Sequence, residues 1–216
     1  MSREVHVRFC ESRGVRFPPA THLVVMVSGT RAHAEDLREE VATVLEPMGL
    51  RLSEAKTRIA HIDEGFDFLG YRIQRQTKRG TTKRYVYTFP SKKALASIKA
   101  KVRALSRGNT NQPLAVLLQR LNPVLRGWTN YFRHGVSSAT FDYLEHFTWV
   151  RVLRWLRHKH DRVSWKLLRR RYLPRWLPTD GPITMFRAGE VATVRYRYRG
   201  ARIETPWTST VKASTT

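Results

Sequence analysis

Arg126, Asn130 and Arg133 recur at i, i+4 and i+7, so on a helix they share one face. Arginine offers a planar fork of donors to phosphate, and asparagine reads base edges with one donor and one acceptor. Tyr131 stands among them as a candidate stacking ring. Further along, Arg151, Arg154 and Arg157 recur every three residues and line one side of a helix backed by Trp149 and Trp155. Lys166 and Arg169 extend the series. These residue types at these spacings bind nucleic acid; the plain alternative is a solvated helix face.

Other chemistries find less support. His146, His158 and His160 crowd into HFTWVRVLRWLRHKH, yet Cys10 is the single cysteine and lies far away, so neither a zinc ligand set nor a disulfide follows. A hydrolase of the Ser/His/Asp kind would need a nucleophile elbow, and the glycines are scattered. The expected catalytic and metal-binding sets among these residues are therefore empty. No segment approaches the ~18 consecutive apolar residues of a membrane span, and the N-terminus has no apolar signal core. A soluble, cytoplasmic protein with no membrane partner is the expectation.

Charge points the same way as the arginines. The chain holds 40 Lys+Arg against 17 Asp+Glu, a formal net charge of +23. Residues 1–90 carry 15 basic and 11 acidic residues, whereas residues 91–176 carry 19 and 3. The middle of the chain thus holds most of the field, and such a block attracts polyanions through counterion release. Arg outnumbers Lys there by 13 to 6. A GC-rich coding bias explains some arginine, but not the shortage of acids.

The elements that must carry these residues can be read in order. Residues 1–22 have no clear period and are expected to be irregular. Leu23 to Val27 form an apolar run after Pro18-Pro19, closed by Ser28-Gly29, and read as a buried strand. A helix follows, with Thr30 as N-cap, an apolar face of Leu37, Val41, Val44 and Leu45, and Gly49 as its end. Phe66, Phe68, Tyr71 and Ile73 alternate around Gly70 as a broken strand, and residues 81–89 read as another, closed by Pro90. From Ser91 the period changes to helical. Leu95, Ile98, Val102 and Leu105 share one face; Leu114, Leu117, Leu118, Leu121, Leu125, Trp128 and Phe132 make a second stripe. Pro123 either restarts or kinks that second helix. Trp128 and Phe132 fall on the leucine face and are assigned to the core. A third helix is expected over 141–160, capped by Ser138, and a fourth over 164–172. Val194, Tyr196 and Tyr198 alternate with arginines ahead of Gly200-Ala201, which reads as a terminal hairpin.

Three stretches in this order, LRLSEAKT (50–57), GFDFLGYRI (65–73) and LNPVLRGWTNYFRHG (121–135), resemble the C-terminal part of the reverse transcriptase/maturases encoded by group II introns. The resemblance covers about residues 23 to 207, and the tail RYRYRGARIETPW is similar to the end of the maturase X, or thumb, domain. It implies an α+β fold: a truncated reverse-transcriptase palm remnant over 23–90, a helical thumb/X domain over 91–176, and a short C-terminal β-hairpin and tail over 177–216.

The resemblance also assigns positions. Aligning Val24-Val25-Met26 with the family's catalytic strand puts Thr21 and His22 where the family carries two metal-binding aspartates. The intact family uses Mg²⁺, a hard cation that takes carboxylate oxygens, and neither side chain here supplies them. The polymerase site is expected to be lost, through a frameshifted or recombined start, and no cofactor is expected. Lys56 matches the family's lysine near the incoming nucleotide, where the plain alternative is a surface lysine. Phe68, Leu69 and Gly70 match its primer-grip turn, where the alternative is a buried strand kink. The implied function is RNA binding in support of intron splicing, with a group II intron RNA as first partner. DNA as ligand, a complementing reverse-transcriptase chain with RNA-directed DNA polymerase activity, and a degraded mobile-element product stay open as alternatives.

Overall fold

A computed structural model describes residues 4–9, 23–54, 57–108 and 110–194 of the 216-residue chain. Strand β1 (Glu4–Phe9) lies in the middle of an antiparallel sheet between β2 (Leu23–Ser28) and β3 (Arg58–His61). Val5 stands opposite both Val27 and His61. A strand therefore occupies part of the segment expected to be irregular. Val5, Val7 and Phe9 alternate with Glu4, His6 and Arg8, a strand period of two that the irregular expectation overlooked.

Helix α1 (Arg31–Leu45) packs on this sheet. Thr30 is its N-cap: the His33 amide donates to Thr30 Oγ1 at 3.5 Å, and the Thr30 amide to His33 Nδ1 at 3.4 Å. This is a capping box with histidine in the usual place of Glu or Gln. Fully buried Ala34 meets Val25, Val27, Val41, Leu52 and Ile59. Two expectations are corrected here. Val44 is exposed, because the contact face turns on Ala34 and Val41. Met26 is 61% exposed, because only the Val25/Val27 face of β2 has a helix over it.

Strands β4 (Phe66–Phe68), β5 (Tyr71–Thr77) and β6 (Arg84–Pro90) form a second antiparallel sheet in that order. The broken strand of the sequence reading is a hairpin with Leu69-Gly70 as its two-residue turn, both at positive φ (47° and 80°). Such a turn matches the right-handed twist of the strands. Asp63 ties the sheet to the preceding loop: Arg75 Nε donates to its Oδ1 at 2.7 Å, and Arg84 Nη2 lies 2.9 Å from the same oxygen.

Four helices follow: α2 (Lys92–Ser106), α3 (Leu114–Phe132), α4 (Ser138–Lys159) and α5 (Trp165–Tyr172). Ser91 caps α2, accepting from the Ala94 amide at 3.1 Å. Ser138 is the first residue of α4 and not its cap. Buried Ser137 precedes it and donates from Oγ to the Phe132 carbonyl at 2.7 Å. Helix α3 runs through Pro123 without a restart. One core joins Ile98 and Val102 of α2, the α3 leucines, Leu144, Val152, Trp155 and Leu156 of α4, and Leu168 and Tyr172 of α5. Phe132 is buried and Trp128 packs against it, as the leucine face predicts.

The chain then returns along α3 as a strap. Strands β7 (Thr179–Asp180) and β8 (Ile183–Thr184) make a small hairpin. Asn122 holds it with both ends of its amide, donating to the Thr184 carbonyl at 2.8 Å and accepting from the Phe186 amide at 2.9 Å. Met185 inserts into the helical core. The hairpin expected beyond Val194 lies outside the described residues. No helix among the described residues is long and apolar enough to cross a membrane.

Candidate nucleic-acid interface

Between the end of α2, the 107–111 linker and the last turns of α4 lies a cleft of about 540 Å³. Its polar lining is Ser106, Arg107, Thr110, Asn111, Arg151, Arg154 and His158, with no carboxylate. Arg151 Nε donates to Ser106 Oγ at 3.0 Å, which ties the guanidinium to the end of α2. Burial and the charges of Arg107, Arg154 and Arg103 lower the pKa of Arg151. Arginine stays protonated throughout, so the cluster is held as a concentration of unneutralised positive charge. Trp155 forms one wall, and its buried ring N–H has no acceptor among the described residues.

A basic and aromatic seam leads away from the cleft between α2 and α4. Arg103 lies over the Phe147 ring at 5.2 Å, and Lys99 over the Tyr143 and Phe147 rings at 4.9 and 5.1 Å. The sequence reading selected Arg151 and Arg154 from this region and missed Arg103, Arg107 and Ser106. Arg103 and Arg107 are an i, i+4 pair, so their shared face was legible; that it meets α4 was not. Arg157 is exposed near the end of α4.

The α3 residues occupy a different neighbourhood. Arg126 and Asn130 are exposed, and Arg126 lies 5.4 Å from the Phe186 ring centroid on the strap. Tyr131 is half-exposed but its hydroxyl is committed, donating to the Leu69 carbonyl at 2.8 Å. Tyr71 in turn donates from its hydroxyl to the Tyr131 carbonyl at 2.5 Å. Tyr131 therefore clamps the β4–β5 turn to the end of α3. Arg133 is half-buried, and its Nε finds no partner among the described residues. Phe68, Leu69 and Gly70 form the clamped turn, with Leu69 exposed and Gly70 against Phe132. Lys166 and Arg169 are exposed on α5, and the Arg169 guanidinium lies over the Trp176 ring at 4.3 Å. Thr21, His22 and Lys56 lie outside the described residues. Among the described residues no group of three or more His, Cys, Asp or Glu could hold a metal ion.

The fold and the cleft together define a basic helical unit whose arginine groove has no carboxylate in its lining. Residues 95–173, which span nearly all of α2 to α5, match the family model of the group II intron maturase-specific domain. The chain thus contains a maturase-specific domain. It is also similar to Protein YkfC of Escherichia coli (strain K12), with 45% identity over 76 residues. That match takes in 35% of this chain, and the chain spans about a fifth of the relative's length, 20%.

Proposed function

We propose that the chain is an RNA-binding, maturase-type protein that supports group II intron splicing, and that it does not polymerise. In this reading residues 23–90 correspond to the end of a reverse-transcriptase palm and residues 91–176 to the thumb. The observation that carries it is the arginine cleft of Arg107, Arg151 and Arg154, with the charge of Arg103 beside it, which lies inside the maturase-specific match. Guanidinium forks in a groove without carboxylates suit the phosphates of a folded RNA. Thr21 and His22, at the two positions the resemblance assigns to metal-binding aspartates, do not form a carboxylate pair for Mg²⁺, so no nucleotidyl-transfer step is assigned to the chain.

Binding of the purified chain to a group II intron RNA and to an unrelated structured RNA of equal length, across a salt series, tests this. A preference for the intron RNA that survives moderate salt, and falls on Arg154→Ala, is the expected result. Equal binding to both RNAs that disappears together with rising salt would overturn it.

A further inference from the structure

Two tryptophans outside the cleft lining stand exposed on the helical unit. Trp165 opens α5 and is 39% exposed; Trp176, in the short turn Pro174–Trp176, is 50% exposed. Their ring centroids are 6.5 Å apart with a 38° tilt. Two adjacent exposed rings form one aromatic patch, which says more than a single exposed side chain.

The turn holds Trp176 in place. Arg175 and Trp176 both sit at positive φ, 52° and 66°, a region L-residues other than glycine rarely enter. The conformation is fixed from three sides: Trp149 Nε1 donates to the Trp176 carbonyl at 2.7 Å, the Trp176 amide to Leu173 at 3.1 Å, and the Leu177 amide to Pro174 at 3.0 Å. Backbone outliers that the surroundings enforce cluster at functional positions. Here the outlier pins the main chain while leaving the ring in solvent.

The charge around the rings names the ligand. Residues 162–176 contain six basic residues, Arg162, Lys166, Arg169, Arg170, Arg171 and Arg175, and no acidic one. Arg169 already lies over the Trp176 ring, so the aromatic pair and the cations form one surface. Aromatic faces joined to a positive field are the chemistry that holds unpaired bases while tracking their phosphates. A neighbouring cleft of about 690 Å³, which Trp176 also lines, mixes Asp142 and Glu145 with His146, Arg175 and Arg187. Neither tryptophan lines the cleft of Arg107, Arg151 and Arg154, so the ring pair and that cleft are different sites.

We propose that Trp165 and Trp176 form a stacking platform for unpaired bases of a single-stranded RNA segment, with Lys166 and Arg169 on the adjoining phosphates. That the strand is RNA rests on the function proposed above; the stacking itself rests on the geometry of the two rings. The test uses the full chain with three probes: a ten-nucleotide single-stranded oligoribonucleotide, a duplex RNA of the same length, and heparin, a polyanion without bases. Trp176→Ala is expected to weaken the single-stranded probe by about 5- to 150-fold and to leave heparin binding unchanged. Trp176→Phe should keep most of the affinity. Trp165→Ala leaves the Pro174–Trp176 backbone alone and should also weaken the single strand, so a folding defect at position 176 does not protect the idea. Unchanged binding of the single strand by both Trp165→Ala and Trp176→Ala, or equal losses for heparin and the single strand, would overturn the platform. If the intron RNA still binds in an Arg154-dependent way after such a result, the maturase-type reading stands and only the platform falls.

Discussion

Leu69 occupies a position that chemistry assigns to another residue. A two-residue hairpin turn with positive φ at both places favours Asn-Gly or Asp-Gly, and a leucine in the left-handed region costs about 1–2 kcal/mol. Its side chain is exposed, so burial returns little of that cost. Leu69→Asn should raise stability by about 0.5–1 kcal/mol in urea unfolding; a loss would show that the leucine packs in a way the static structure does not contain. The neighbouring change has the opposite sign. Gly70 sits at φ 80°, and a Cβ there would stand 3.2 Å from Phe132 Cζ. Gly70→Ala should cost about 1–2 kcal/mol or more and loosen the clamp made by Tyr71 and Tyr131.

At the scale of elements, α3 depends on a partner for its ends and its middle. Pro113 precedes it and supplies no side-chain cap. The missing acceptor comes from the strap: Asp180 Oδ2 accepts from the Ala115 amide at 2.9 Å. A carboxylate at a helix N-terminus both caps and meets the helix dipole. Asp180→Ala should therefore lower stability by about 1 kcal/mol, and hydrogen exchange should show the first turn of α3 opening before its middle. If that turn's protection were unchanged, the strap would be passive. Leu121, completely buried in the same helix, gives the contrasting magnitude. Leu121→Ala should cost about 2–5 kcal/mol through the cavity it leaves.

At the scale of the molecule, charge couples stability to pH and binding to salt. His160 stacks on Tyr172, its ring centroid 5.3 Å away, and its pKa is lowered from the ordinary 6.5 by burial, then by Lys159 and Arg171. Below pH 6.5 the unfolded chain takes up this proton more readily than the folded one, so stability contributed by neutral His160 is present above pH 6.5 and falls as pH drops below it. His160→Phe keeps the stack and removes the titration. The melting temperature of the variant should change less than that of the parent between pH 7.5 and pH 5.5; an identical slope would assign the pH response elsewhere. Asp63 adds a later step, since the hydrogen bond from Arg75 lowers its pKa below 3.8 and its contribution is lost only in more acid solution. For binding, the slope of log affinity against log salt counts phosphates neutralised. Removing Arg154 should reduce that slope by about 1.

Local pattern was enough for the helices, the Thr30 cap, the leucine face with Phe132 inside it, and the concentration of positive charge in residues 91–176. Each rests on neighbours three or four residues apart, or on composition, and both are written in the sequence. The motif of residues 121–135 further carried the resemblance to a maturase domain, which the family match over residues 95–173 supports. What tertiary structure decided is where distant segments meet. It put Arg103 of α2 and Arg107 just past its end beside Arg151 of α4, tied the Tyr131 hydroxyl to the Leu69 carbonyl, and brought Trp176 to Trp165. None of these follows from periodicity, because a helical or strand period fixes which residues share a face and leaves open which other face it will meet.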